Sequence, residues 1–237
     1  MKAIILAAGR GSRMGALTDD KPKCLIEFRG KPLLEWQMLA FREAGVTDIA
    51  IVTGYKRESL HKHLMHEFFN PRWHETNMVS SLECAHEWLK EAPCIVSYSD
   101  IYYKTSAVQK LQQSDNDLAL TYDPDWHNLW AKRFSNPLSD AETFVLNKEN
   151  HVLEIGNSAD SIDEIQGQYM GLLKITPKAW HQIVMIRNEH SEAQNSQMHM
   201  TNLLQKVIDG KLIPVTAIKY SEGWMEIDSA SDLNITP

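Results

Sequence analysis

At 237 residues the chain is long enough to bury a normal core. Its net charge is −7 and it has no Lys/Arg block, which excludes a nucleic-acid backbone as its main partner. Nothing approaches the roughly 20 consecutive apolar residues of a membrane span, so no membrane partner is expected. The apolar run 3–8 is too short for a secretory signal and meets Arg10 and Arg13 at once. Cys24, Cys84 and Cys94, odd in number and far apart, point to reduced thiols in a cytoplasmic setting.

The run 3–8 has the continuous apolar pattern of a buried parallel strand, and a loop rich in glycine and arginine, 9–15, follows it. Residues 33–44 show helical periodicity at Leu33, Trp36, Leu39 and Ala40 and end at Gly45, a helix stop. A second buried strand is predicted at 48–53, a helix at 58–67 and a longer helix at 77–90. A third strand, 94–99, ends on Asp100; a helix at 107–113 and a strand at 118–122 follow. This β/α alternation implies a largely parallel sheet covered by helices, with ligands beyond the carboxyl ends of its strands. The glycine loop and Asp100 both fall there.

The second half is less regular. Trp126, Trp130 and Phe134 are spaced as on one helical face, strands are predicted at 152–155 and 169–175, and helices at 178–186 and 201–208. A last strand, 215–220, leads into Gly223-Trp-Met-Glu-Ile-Asp228. No repeat or linker separates the halves, so 1–237 reads as one domain.

Gly9 and Gly11 let backbone N–H groups point at phosphate oxygens without side-chain obstruction. A Rossmann fingerprint fails because Met14 stands where its third glycine belongs and Pro22 ends any helix too soon; Glu27 is therefore no ribose acid. No Walker A string is present. What the run Leu6-Ala-Ala-Gly9-Arg-Gly11-Ser12-Arg13-Met-Gly15, with Leu17-Thr18-Asp-Asp-Lys-Pro22-Lys23-Cys-Leu25, resembles is the signature of the nucleotidyltransferase superfamily of sugar-phosphate and MobA-like NTP transferases. Trp224-Met-Glu226-Ile-Asp228, Asp232-Leu233 and the strand-end Asp100 extend the likeness over nearly the whole chain.

The resemblance implies a Rossmann-like three-layer α/β/α fold of the GT-A-like kind, with a mostly parallel mixed sheet. About 1–115 would be a nucleotide-binding half and about 116–237 an acceptor-binding half. It implies Mg²⁺ on Asp100 and Asp228, and nucleotide contacts from Leu6, Ala7, Ala8, Gly9, Gly11, Ser12, Arg13 and Ser99. Lys23 and Arg13 are the expected catalytic cations, supplying fixed positive charge where a triphosphate gathers about four negative ones. Lys23 is also expected to meet the acceptor. An acceptor phosphate is already anionic, so it attacks the α-phosphorus in line without a general base and pyrophosphate leaves.

The run Asn70-Pro-Arg-Trp-His-Glu75-Thr76-Asn77-Met78-Val-Ser80-Ser81-Leu82 resembles a segment of the phosphocholine cytidylyltransferase branch that starts a helix in a T-N-N-hydrophobic-x-S-L form, with Met78 departing from the second asparagine. That implies base or ribose contacts from Asn77, Ser80 and Ser81, unless Thr76 or Asn77 merely caps the helix. CTP is the favoured nucleotide and a phosphocholine-like compound the leading acceptor, for decoration of a surface polysaccharide. A sugar 1-phosphate with UTP, GTP or dTTP is the alternative. Trp126, Trp130, Trp224 and Tyr169 can wall a quaternary ammonium by cation–π attraction, or Trp126 and Trp130 can simply be core. Asp140, Glu142 and Glu226 are candidate carboxylates beside it. Against a silent regulatory subunit stand Arg13, Lys23, Asp100 and Asp228 together; monomer and homodimer both stay open.

Overall fold

The computed structural model describes residues 1–63 and 66–236. Strand β1 (Lys2–Ala7) shows how its apolar run is used. Ala3, Ile5 and Ala7 enter one apolar layer, and Ile4 and Leu6 the other, so the strand is buried on both faces. The same holds for β2 (Ile49–Thr53) and β4 (Cys94–Tyr98), with β3 (His66–Phe69) at the rim. β5 (Leu118–Asp123), β6 (Gln168–Ile175) and β7 (Val215–Lys219) complete a seven-stranded sheet in the order β7-β5-β6-β4-β1-β2-β3. Six strands run parallel to one another, and β6 alone is antiparallel, between β4 and β5.

Helices cover both faces. α1 (Leu33–Glu43) and α4 (Thr105–Gln113) share one apolar layer with α5 (Trp126–Arg133). On the other face lie α2 (Met78–Glu83), α3 (His86–Glu91), α6 (Pro177–Asn188) and α8 (Met200–Asp209), with the short α7 (Glu192–Ser196) beside α2. The mixed, mostly parallel three-layer α/β/α architecture is the one expected.

Three details differ from the sequence reading. The helix predicted at 58–67 is a 3₁₀ segment, Arg57–His63, followed by edge strand β3, and positions 64 and 65 lie outside the described residues. The helix predicted at 77–90 is broken at Cys84 and Ala85 into α2 and α3, because α2 packs on β1 and α7 while α3 packs on α6. An antiparallel ribbon, Glu142–Leu146 with Val152–Ser158, packs on α8 and places Glu142 near the sheet's carboxyl edge.

β6 also carries the irregularity that shapes the site. Its register against β5 shifts between Tyr169 and Leu173, and Gly171 there has φ +78°. A Cβ at Gly171 would stand 2.7 Å from the Tyr98 ring, so glycine allows both the turn of the backbone and the approach of Tyr98. Gly171→Ala is therefore expected to cost about 1–3 kcal/mol of stability, read as a lower urea midpoint. An unchanged midpoint would show that neither constraint is felt.

Candidate active site

Beyond the carboxyl ends of β1 and β4 a cleft of about 300 Å³ is lined by Leu6, Ala8, Gly9, Gly11, Ser12, Arg13, Lys23, Asn77, Ser81, Ser99 and Asp100, among others. Its floor is the glycine loop. Gly11 adopts φ +73°, and a Cβ there would lie 2.7 Å from the Lys23 side chain, which passes beneath. Thr18 ties the loop, donating its hydroxyl to the carbonyls of Gly11 and Gly15 at 3.2 Å each. The signature threonine is thus a brace on the loop and does not itself line the cleft.

Asp100 and Asp228 come from segments 128 positions apart and meet because Ile101–Tyr102 pairs antiparallel with Met225–Glu226. Ile227 N–H donates to the Asp100 carbonyl at 2.9 Å. Oxygens of Asp100, Glu226 and Asp228 then lie within 4.8 Å of one another. Three carboxylates that close repel strongly unless cations intervene. Lys23 Nζ stands between two of them, 2.8 Å from Asp100 Oδ2 and hydrogen-bonded to Asp228 Oδ1. Burial alone would lower the Lys23 ammonium, but Asp100 and Asp228 outweigh it and hold its pKa above the usual lysine value.

Arg133 supplies the second cation, and the sequence reading passed over it. Its side chain is wholly buried at the end of α5, with Nη1 3.0 Å from Glu226, Nε 3.2 Å from Asp232 and Nη2 3.5 Å from Asp228. Asp232 in turn accepts from the N–H groups of Asp228 at 2.9 Å and Ser229 at 2.8 Å, closing a capping box on the 3₁₀ turn Ala230–Asn234. Burial would raise Asp228, but Lys23, Arg13 and Arg133 hold it below the ordinary carboxylate value. Glu226 goes the other way: burial first, and then the Asp228 charge, push it up. The Arg133 guanidinium also lies 4.9 Å from the Trp130 ring centre.

A second cleft of about 200 Å³ adjoins the first and shares Arg13, Met78, Tyr98 and Asp228 with it. Glu142, Tyr169 and Glu226 line it, as do Asp140 and one side of Trp130, together with Gln168, His199 and Thr201, which the sequence reading did not select. Arg13 sits at the junction, two-thirds exposed, with Nη2 3.0 Å from Asp228. Burial, and then Asp140, raise the Glu142 carboxyl above its usual value.

Several expected residues stand elsewhere. Trp126 and Trp224 are buried in the core and line neither cleft. The Trp126 indole donates to the Ile165 carbonyl at 3.1 Å and that of Trp224 to Asp123 at 2.8 Å. Trp130 is 3% exposed and its ring already faces Arg133, so the four-walled aromatic box does not form. Ser80 points away from the first cleft and donates to the Asn195 carbonyl, whereas Ser81, one residue on, faces it. Ala7 is buried at the end of β1 without lining the cleft, and Lys23 lines the first cleft only. Asn77 does line it, but its side chain is engaged at both ends. Oδ1 caps Met78 N–H at 2.9 Å and Nδ2 meets His199 Nε2 at 2.8 Å. Tyr98, and Trp73 from the 70–82 stretch, are cleft residues that the sequence did not single out.

Two outcomes follow for this centre. Arg133→Met removes the buried cation from three carboxylates and is expected to lower stability by about 3–5 kcal/mol. Asp232 lies below its ordinary pKa, because Ser229, Arg133 and Asp228 outweigh burial. Its contribution is therefore full above the usual carboxylate range and lost as pH falls through and below it. Asp232→Asn should lose stability near neutral pH and show a shallower acid dependence; a urea series at two pH values that gives parallel curves would contradict this. For the tryptophans, Trp126→Leu should cost about 2–4 kcal/mol and leave the ratio of the two substrates' KM values unchanged. A selective rise in one KM would return that ring to the site.

Known proteins resemble this chain in sequence and in fold. The profile of the MobA-like NTP transferase domain matches residues 3–152. A CTP:phosphoglutamine cytidylyltransferase of Campylobacter jejuni is 36% identical across 99% of this chain and 98% of its own. A choline-phosphate cytidylyltransferase of Streptococcus pneumoniae is 29% identical over 65% of this chain and 67% of its own. The solved inositol-1-phosphate CTP transferase of T. maritima superposes with a TM-score of 0.77 at 20% identity, covering 98% of this chain and 90% of that one. The chain belongs to the MobA-like NTP transferase family and is a nucleotidyltransferase.

Proposed function

We propose that the protein couples CTP to a small phosphorylated acceptor bearing amide or amino-acid-like polar groups, with Mg²⁺, and releases pyrophosphate. The observation that carries the reading is the meeting of the two clefts at Arg13 and Asp228, beside Lys23. The first cleft takes the nucleotide: loop N–H groups and Lys23 lie under the phosphates, and Trp73, Met78 and Ser81 flank the space left for the base. The second takes the acceptor. Its Asp140, Glu142, Gln168, His199 and Thr201 are hydrogen-bonding groups, which suit an amide, ammonium or carboxylate better than a trimethylammonium group. The C. jejuni relative, by its name a phosphoglutamine enzyme, supports that choice over the phosphocholine-like acceptor favoured by sequence.

Asp100 and Asp228 would hold the metal. Asp100 Oδ1 is buried with no hydrogen-bond partner among the described residues, and hard carboxylate oxygens from two segments are the donor set Mg²⁺ prefers. Bound there, Mg²⁺ would draw charge from the triphosphate oxygens. The protein's own groups do the rest. Lys23 exchanges its two aspartates for phosphate oxygens. Arg13, at the junction, steadies the acceptor phosphate against the α-phosphoryl group, so that attack is in line. Arg133 and Asp232 keep Asp228 aimed throughout. No side chain need take a proton, because the attacking oxygen is already anionic. A cytoplasmic enzyme activating a substituent for a surface polysaccharide is the setting proposed.

The reading is tested by pyrophosphate release with the four NTPs in competition and phosphoglutamine, phosphocholine and a sugar 1-phosphate as acceptors. CTP should exceed each other NTP by about tenfold or more in kcat/KM, and phosphoglutamine should exceed phosphocholine. A purine preference would overturn the nucleotide assignment, and turnover with the sugar phosphate alone would overturn the acceptor.

A further inference from the structure

Helix α2 has a second working side. Met78 and Ser81 face the nucleotide cleft, while Ser80, Glu83 and Cys84 face a separate groove of about 530 Å³, closed by the α6–α7 corner. Arg187, in the last turn of α6, lines this groove and is 6% exposed. Its Nη2 reaches Glu83 at 2.5 Å, but Nε and Nη1 have no hydrogen-bond partner among the described residues. Asn195 lines the same groove. Its Nδ2 is spent on the carbonyls of Arg187 and His190, and its Oδ1 is buried without a partner. Buried donors and acceptors without partners are rare in folded proteins, and a guanidinium is among the costliest to leave so.

The unmet groups belong to residues that line one groove, cationic donors on Arg187 and a neutral acceptor on Asn195. Arg72 at the rim is already paired with Glu75 and Glu192, and Arg187 with Glu83, so the charges around the groove carry no excess of cations. A dianion would bring excess negative charge, and a lone ammonium would find Arg187. A net-neutral ligand with a carboxylate beside an ammonium answers both needs.

We propose that this groove is an effector site for a free α-amino acid. The carboxylate lies against the Arg187 guanidinium, and the ammonium donates to Asn195 Oδ1 with Glu83 beside it. α2 links the site to the nucleotide cleft, because the Asn77 N–H that begins the helix donates at 2.7 Å to the carbonyl of Ser196, next to Asn195. Occupancy therefore changes nucleotide affinity.

Isothermal titration calorimetry of the full chain, without nucleotide, tests this with glycine, L-serine, L-glutamine and inorganic phosphate as probes. At least one amino acid should bind at a single site, and Arg187→Met should weaken it by about tenfold or more, Asn195→Ala by about threefold or more. Glu142→Gln, in the acceptor cleft, should leave that binding unchanged, which separates the two sites even if the acceptor itself resembles an amino acid. A saturating amino acid should shift the nucleotide KM by about twofold or more in the wild type and not in Arg187→Met. Should Arg187→Met fail to fold by circular dichroism, Asn195→Ala carries the test. No binding up to about 10 mM, tighter binding of phosphate than of any amino acid, or loss in Glu142→Gln alone would each overturn the proposal.

Discussion

The arrangement depends on one ammonium. Lys23 is held between Asp100 and Asp228, the two carboxylates expected to take the metal, and Arg133 braces the cluster from within the core. Three carboxylates inside 4.8 Å of one another could not otherwise stay together in a partly buried site. Much of the surrounding fold serves that geometry. Gly11 lacks a Cβ so that Lys23 can pass under the loop, and Thr18 fixes the loop above it. The two-residue ribbon from Ile101 and Met225 brings the aspartates together, and Asp232 holds the backbone of Asp228 in place.

The local chemistry of this centre was legible in the sequence, and its support was not. The loop, Lys23, Asp100 and Asp228 lie in short strings whose spacing encodes the turn and strand ends around them. Arg133 lies in no such string near its partners: Glu226 and Asp232 are 93 and 99 positions away, and only the tertiary fold shows that its side chain turns inward. Trp126 and Trp130 illustrate a related limit. Their spacing correctly put them on one helical face, but periodicity cannot say whether that face meets a ligand or the core. The answer lay in partners far along the chain, Ile165 for Trp126 and Arg133 with Trp224 beside Trp130.

Single-residue steps carried the same ambiguity. Ser80 and Ser81 are interchangeable in a motif, yet about 100° of helical rotation separates them, and only Ser81 faces the first cleft. Asn77 was open between cap and base contact; the structure commits its oxygen to the cap and its amide to His199, which ties the helix start to the wall of the second cleft. The sheet's parallel core was legible from its apolar runs. The antiparallel insertion of β6 was not, since a strand buried on both faces looks the same in either direction.

If Lys23 occupies the place of the metal's charge, free protein should bind a divalent cation poorly until the nucleotide's phosphates draw the lysine away. The direct measurement is an Mn²⁺ titration followed by electron paramagnetic resonance, on wild type and Lys23→Met, with and without CTP. Without nucleotide, Lys23→Met should bind Mn²⁺ about tenfold or more tightly than wild type, and CTP should narrow that difference by strengthening binding to the wild type. Equal affinities without nucleotide, or weaker binding in Lys23→Met, would contradict the account.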